Sequence, residues 1–343
     1  MLEGRRIMIK GPMDLEVQRF EVDPDPGEGR VLVKNRYTAI SAGTELSIYT
    51  GTNPRAYEPG SWCNYPHVPG YAGIGEVIAV GPGVGALKVG DYVFHHPHHA
   101  SHDVLDSRYG LFAKVPKELY LPEVALARFA AIVLSGSVRL SRVELGDKMA
   151  LFGLGIIGQT AAQLFSLSGA DVIAFDPVAN RRRLAEKVGA CVGVYDSTAE
   201  NAKSVISRYQ PKGADLVVDA TGRSETVMAN FGLARRKGKI VLLGTPFTSF
   251  NADVTQLFRY IHLNWITVIG ALERDRVVLP SDDETHSYVE DVAYVLDLIR
   301  RGKLNMKDLM SHVLPPSEFK NGYEGLLNKK DEYSAVVIDW SRD

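Results

Sequence analysis

Residues Lys148 to Pro177 read KMALFGLGIIGQTAAQLFSLSGADVIAFDP, and their order suits one kind of chemistry. Ala150–Phe152 is an apolar run too short for a helix and right for a buried strand. Gly153, Gly155 and Gly158 follow as G-x-G-x-x-G. A helix pattern then runs from Ile157 to Gly169, and a second apolar strand, Val172–Phe175, ends on Asp176. Gly153 permits a tight turn, Gly155 lets the backbone approach a pyrophosphate, and Gly158 lets the helix pack close to the strand. The helix start at Ile156 and Ile157 offers an anion free N–H groups and the positive end of the dipole. Strand, turn, helix, strand and terminal acid in this order predict a dinucleotide site. A carboxylate at Asp176 accepts the ribose hydroxyls of NAD and repels the 2′-phosphate of NADP. Arg181, Arg182 and Arg183 pull the other way, since arginines hold a 2′-phosphate; they also read as an ordinary charged helix start. NAD is the expectation, and NADP stays open.

A second constellation is His95, His96, His98, His99 and His102, five imidazoles within eight residues. One reading is a proton relay poised near neutral pH. Another is a metal site, since imidazole suits zinc, copper and iron. The third is a polar loop with its histidines in water. Tyr49, Trp62 and Tyr65 are aromatic side chains able to stack on a sugar or a flat ring, or simply to pack.

The elements that must position these residues change rhythm along the chain. The first ~120 residues are rich in glycine, proline and short strand-like runs, Val31–Asn35, Gly75–Val80 and Asp91–Phe94, between turn signals such as GPGVG and KVGD. From Val143 strands and helices alternate. Strands are expected at Ala150–Phe152, Val172–Phe175, Val192–Tyr195, Asp215–Asp219, Lys239–Leu243 and Trp265–Ile269, with helices over Glu200–Tyr209 and Glu225–Arg236 between them. Six such strands make a doubly wound parallel sheet, an α/β fold. Its strand ends at Ala220-Thr221 and Gly244-Thr245, followed by Ala271 and Leu272, fall where the nicotinamide half of a dinucleotide lies. An amphipathic helix over about Glu284–Arg301 and a final strand over Ser334–Trp340 complete the chain.

Composition sets bounds. At 343 residues two domains are expected. A hydrophobic share of 45% with 23% charged residues and a net charge of −2 describes an ordinary globular protein with no nucleic-acid footprint. No apolar run approaches the ~18 residues of a membrane span, and no signal-peptide core is expected at the N-terminus. Only Cys63 and Cys191 occur, which fits a reducing, cytoplasmic setting and excludes a four-cysteine zinc lobe.

Four segments, with this domain order, resemble the medium-chain dehydrogenase/reductase family. Thr38-Ala-Ile-Ser-Ala-Gly-Thr-Glu45 is similar to the family's N-x-x-x-C-G-T-D, and Val68-Pro-Gly-Tyr-Ala-Gly-Ile-Gly-Glu-Val77 to its L-G-H-E-G-x-G-x-V. Lys88-Val-Gly-Asp-Tyr-Val93 is similar to K-x-G-D-R-V, and Glu144-Leu-Gly-Asp147 stands where x-P-G-D precedes the glycines. The SAGTE spelling, PHHASH and VVIDW resemble the bacteriochlorophyllide-dehydrogenase-like subgroup. The resemblance implies a GroES-like β-domain from 1–129 and 273–343, and a six-stranded Rossmann domain over 130–272. It implies hydride transfer with NAD(P), a small-molecule substrate, and a homodimer or homotetramer paired through the edge strand.

The departures from the family carry as much. Ala42 stands at the thiolate position of the zinc enzymes, Tyr71 at the histidine and Ala72 at the acid. Neither Ala nor neutral Tyr ligates zinc, Phe129–Leu134 offers no third ligand, and no Cys lies between Val93 and Ala125. The resemblance therefore implies a zinc-independent enzyme. Thr44 matches the hydroxyl that passes on the substrate's proton. Tyr71 in the vacated metal position is a candidate donor, and His99 and His102 are candidate relay members. Secondary-alcohol oxidation is the expectation. A quinone or enoyl reductase acting on a conjugated double bond is the alternative. A nucleotide-binding sensor or scaffold without catalysis is the alternative of another class.

Overall fold

The computed structural model describes residues 1–273, 278–280 and 286–342. The chain divides into two compact units, Met1–Arg128 with Val277–Asp343, and Phe129–Arg276.

The first unit opens on a hairpin of β1 (Leu2–Gly11) and β2 (Asp14–Val22), antiparallel in register. Then come β3 (Arg30–Ala39), the short helix α1 (Thr44–Tyr49), β4 (Gly73–Val80), β5 (Tyr92–His95), β6 (His102–Asp106) and β7 (Phe112–Lys114). β3 is the hub: β4 and β6 both pair with it antiparallel, and β5 and β7 extend the sheet beyond β4.

The boundary falls within α2 (Ala127–Val133), whose run from Phe129 belongs to the second unit and passes through a π turn, Leu134–Val138, into α3 (Arg139–Ser141). The helical run Pro122–Ser141 is long and apolar enough to cross a bilayer, contrary to the expectation that no such stretch exists. It is mostly buried inside the protein, as a core helix is. Next are β8 (Lys148–Phe152), α4 (Ile156–Leu167), β9 (Asp171–Phe175), α5 (Ala179–Val188), β10 (Gly193–Tyr195), α6 (Ala202–Tyr209) and β11 (Ala214–Asp219). α7 (Ser224–Asn230), β12 (Ala234–Leu242), α8 (Thr255–Asn264) and β13 (Thr267–Gly270) finish it. All six strands are parallel, in the order β10-β9-β8-β11-β12-β13. With helices on both faces, β8 and β9 are almost wholly buried, which is why they read as unbroken apolar runs. Phe152 and Phe175 stack at 4.9 Å in this core, and a fully buried side chain of this size is worth about 1.5–3 kcal/mol.

The return to the first unit adds α9 (Tyr288–Arg300), β14 (Met310–Leu314), α10 (Phe319–Asn328) and β15 (Ala335–Asp339). β15 inserts between β14 and β3, parallel to the former and antiparallel to the latter. Its residues join Ile7, Ile9, Ile40, Tyr49, Phe319 and Tyr323 in one core.

Two expected helices differ. The helix expected over Glu225–Arg236 stops at Asn230, and after one tight turn Ala234 already begins β12. Gly232 weakens the helix there, and the backbone of Ala234 pairs with Ala214 instead. The later helix is capped by Ser287, whose hydroxyl accepts from Glu290 N–H while the Glu290 carboxylate accepts from Ser287 N–H. The expected start at Glu284 lies outside the described residues.

Candidate active site

At the end of β8 the chain turns through Gly153 at φ +93°, a conformation side chains other than glycine resist. A Cβ on Gly158 would stand 1.8 Å from the Gly153 carbonyl oxygen, and one on Gly153 would stand 2.8 Å from Thr221 Cγ2. A Cβ on Gly155 would meet nothing within 4 Å. The first pair of glycines is needed for packing, and the third leaves an open face over the helix start. α4 carries no side-chain cap on Gly155, so the N–H groups of its first turn, at Ile156 and Ile157, keep no local side-chain acceptor. This cradle fits a pyrophosphate.

Asp176 closes β9, almost fully buried. One carboxylate oxygen accepts Leu154 N–H at 2.7 Å and the other accepts Val178 N–H at 2.8 Å. Each oxygen has two lone pairs, so a ribose hydroxyl can still be accepted. Arg181 Nη1 stands 3.6 Å from the same carboxylate, and Arg182 spans Asp196 and the carbonyls of Asp176 and Pro177. At the neighbouring strand ends, Asp219 accepts Thr221 and Gly222 N–H, and burial pushes its carboxyl pKa up. Gly244 N–H donates to Asp219 O, and Thr245 lies against Gly222. Gly153, Ala220, Thr221, Gly244 and Thr245 thus gather at the carboxyl ends of β8, β11 and β12. Ala271 N–H donates to Leu242 O, and the Ala271 carbonyl faces Gly136 in the π turn. Leu272 is exposed.

In the first unit, three hydroxyls converge. Thr44 is the first residue of α1, with Gly43 as N-cap and no side-chain cap, so Thr44 does not cap the helix. The Tyr71 phenol makes a short hydrogen bond to Ser41 Oγ and lies 3.4 Å from Thr44 Oγ1. Burial pushes the Tyr71 phenol pKa up, against the hydroxyls of Ser41 and Thr44, which pull it down. Ser41 went unremarked in the motif, although it sits one residue before the vacated thiolate position.

The five histidines do not act as one group. His99 is fully buried, with Nε2 at 2.9 Å from Glu45 Oε2 and Nδ1 at 2.8 Å from Thr38 Oγ1. Trp340 Nε1 donates to Thr38 Oγ1, and the Tyr323 phenol and Ser41 N–H donate to the Glu45 carboxylate. Thr38 accepts from Trp340 and has one proton to give, so it donates to Nδ1 and leaves Nε2–H for Glu45. One ring nitrogen is thus spent on Thr38 and the other on Glu45, next to Thr44. His99, a candidate relay member, is therefore bonded on both sides within the protein. His102, on β6, is half-buried, bonds Ser101 Oγ and stands opposite Lys34, not with Thr44 or Tyr71. His95 bonds Asn35, His96 bonds Tyr288, and His98 bonds Asp103. The solvated-loop reading fails for His95 and His99, which are buried. Among the described residues no three of His, Cys, Asp and Glu converge as metal ligands, and Ala42, Tyr71 and Ala72 do not fit a metal. Of the three aromatic candidates, Tyr49 is buried and bonded to Glu324, Tyr65 donates to Ile48 O, and Trp62 is exposed. A cavity of about 580 Å³ between β7 and α9, walled by Phe112, Leu119, Val289 and Leu296, is lined by none of these candidates.

Two family models match the chain. The alcohol dehydrogenase GroES-like domain covers residues 27–115, and the zinc-binding dehydrogenase domain covers residues 157–285. The chain is 26% identical to 2-desacetyl-2-hydroxyethyl bacteriochlorophyllide A dehydrogenase of Cereibacter sphaeroides over 97% of each chain. It is 27% identical to L-threonine 3-dehydrogenase of Thermococcus kodakarensis over 91% of each. Its fold is similar to that of an alcohol dehydrogenase of Escherichia coli CFT073 solved with NADH, at a TM-score of 0.81 and 18% identity, covering 98% of this chain and 99% of that one. Glycine cradle, parallel six-stranded sheet and GroES-like sheet agree with these matches, and the chain belongs to the medium-chain dehydrogenase/reductase family, as a nicotinamide-dinucleotide-dependent oxidoreductase.

Proposed function

We propose that this enzyme interconverts a secondary alcohol (a polyol, sugar or ring-bearing carbinol) and its ketone with NAD, without a catalytic metal. The observation that carries the reading is the convergence of Ser41, Thr44 and Tyr71 hydroxyls where zinc relatives place ligands. Both relatives named above are dehydrogenases of hydroxyl-bearing compounds, which supports carbinol chemistry over double-bond reduction. NAD, when bound, supplies the hydride acceptor at nicotinamide C4. The chain's part is the proton. In ketone reduction the Tyr71 phenol donates to the carbonyl oxygen, and Thr44 and Ser41 hold the phenol oxygen in place. In alcohol oxidation the same oxygen receives the proton. A general acid–base of this kind contributes ~10²–10⁴ in rate.

The test is exhaustive chelation followed by a screen of secondary alcohols with NAD, read at the reduced nicotinamide absorbance. Activity should survive chelation. Tyr71→Phe should lower turnover ~100-fold or more, and Thr44→Ala ~tenfold, with NAD affinity unchanged. A stoichiometric metal whose removal abolishes activity overturns the reading, as does full turnover in Tyr71→Phe. Turnover of conjugated alkenes but not carbinols would mark a reductase. NAD binding with no turnover on either would mark a sensor.

The choice of NAD rests on Asp176. Asp176→Ala should weaken NAD binding and bring NAD and NADP affinities together, since the carboxylate repels a 2′-phosphate. A wild-type enzyme that binds NADP more tightly than NAD would show that Arg181 outweighs Asp176.

A further inference from the structure

Behind Tyr71 lies a cation that the family motifs do not include. Arg128 is the second residue of the apolar helix α2 and is 7% exposed. Its guanidinium carbon lies 5.6 Å from the Tyr71 ring centroid and 5.4 Å from that of Tyr288. Tyr288, the first residue of α9, is itself buried, and its hydroxyl is 2.7 Å from His96 Nε2. The planar guanidinium therefore lies against two aromatic rings, one of them fixed by a further hydrogen bond, a setting that suits Arg and not Lys.

Resting on the Tyr71 reading above, we infer that Arg128 is a positioning residue that lets the Tyr71 phenol release and regain its proton inside a buried site. The physical need is specific. Zinc enzymes stabilise the negative charge on the reacting oxygen with a metal. Here that charge passes to the Tyr71 phenol oxygen, and a buried phenolate is costly without a nearby opposite charge. The groups facing Tyr71 divide by sign. Glu45 on α1 opposes the phenolate, while Arg128 and the hydroxyls of Ser41 and Thr44 favour it. Tyr323 on α10 and His96 beyond β5 complete the titratable shell, and burial with the nearby Arg128 holds His96 neutral well below its ordinary value. Arg128 is the one cation among these groups.

The proposal makes Tyr71 ionisation depend on a residue that need not touch substrate. Ultraviolet difference titration of the full chain against its Tyr71→Phe variant isolates the Tyr71 phenolate band. In the wild type the Tyr71 phenolate band should appear while the chain stays folded, later than an ordinary tyrosine because the site is desolvated. In Arg128→Gln it should ionise about one unit later or not at all. Arg128→Lys, which keeps the charge and loses the planar stack, should fall between. An unmoved Tyr71 in Arg128→Gln overturns the inference. If circular dichroism shows that Arg128→Gln does not fold, Tyr288→Leu removes one wall of the clamp; a later Tyr71 titration supports the inference, and an unmoved one overturns it. Lost turnover in Tyr71→Phe with an unmoved titration in Arg128→Gln sinks the role of Arg128 alone. Full turnover in Tyr71→Phe sinks it together with the reading beneath it.

Discussion

His95 shows how one buried ring sets a pH limit on the fold. It is 2% exposed, and Asn35 Oδ1, which can only accept, faces its Nε2 at 2.8 Å. The neutral ring donates there, and burial lowers its pKa from 6.5 to about 4, against the nearby Asp103. The unfolded chain takes up a proton near pH 6.5 that the folded chain refuses until about 4. Stability is therefore full above pH 6.5 and falls as pH drops toward 4, by roughly 3 kcal/mol at most from this group. Thermal unfolding midpoints followed across that window should fall less steeply in His95→Gln than in the wild type. Equal slopes in the two proteins would mean the ring is not the source. At this scale the motif reading located Thr44 and Tyr71, because each occupies a fixed place in a short segment. It passed over Ser41, and it could not show that His99 is spent on Glu45, because that contact joins positions 54 residues apart. Arg128 had one visible signal, a lone arginine inside the apolar run VALARFAAIV, which a reading by family motif does not weigh.

The elements divide by how their burial is written. β8, β9 and β11 are covered on both faces, so each appears as an apolar run, and their parallel order follows from the helices between them. The hairpin of β1 and β2 was not legible. Its exposed positions carry charges such as Glu3, Arg19, Lys10 and Glu16, paired across the strands, and this masks the alternation of Ile7 and Ile9 toward the core. α8 is hard to read for a related reason: none of its residues is fully buried, and Tyr260 and Ile261, which pack on the core, are flanked by exposed Phe258 and Leu263, which blurs the apolar stripe. β15 was legible as a strand, but its insertion beside β3 depends on residues about 300 positions away, and local pattern carries no such pairing. The glycine cradle was legible in full, because turn, close packing and helix start are all local demands.

For the whole molecule, the expected pairing of two copies meets a suitable edge. Among the described residues β13 is the edge strand, paired to β12, and Val268 on it is half-exposed, with Phe258, Leu263 and Trp265 exposed on the helix and turn before it. An apolar open edge of this kind is a liability unless another chain covers it. We propose that a second copy does so, giving a homodimer. Light scattering on the eluting protein should show twice the chain mass for the wild type and one chain mass for Val268→Asp. A wild-type monomer would sink the idea.

The placement of β15 also bears on the order in which the protein can be made. The second unit is one continuous stretch, so all its strands are synthesised before α9. The first unit has to wait. β3 emerges early, but the strand that covers its flank comes about 300 residues later, a delay of roughly 15–60 s at 5–20 residues per second. Tyr323 and Trp340, which hold Glu45 and Thr38 beneath Thr44, arrive in the same late segment. During that interval the growing chain carries a β3 flank that β15 has yet to cover.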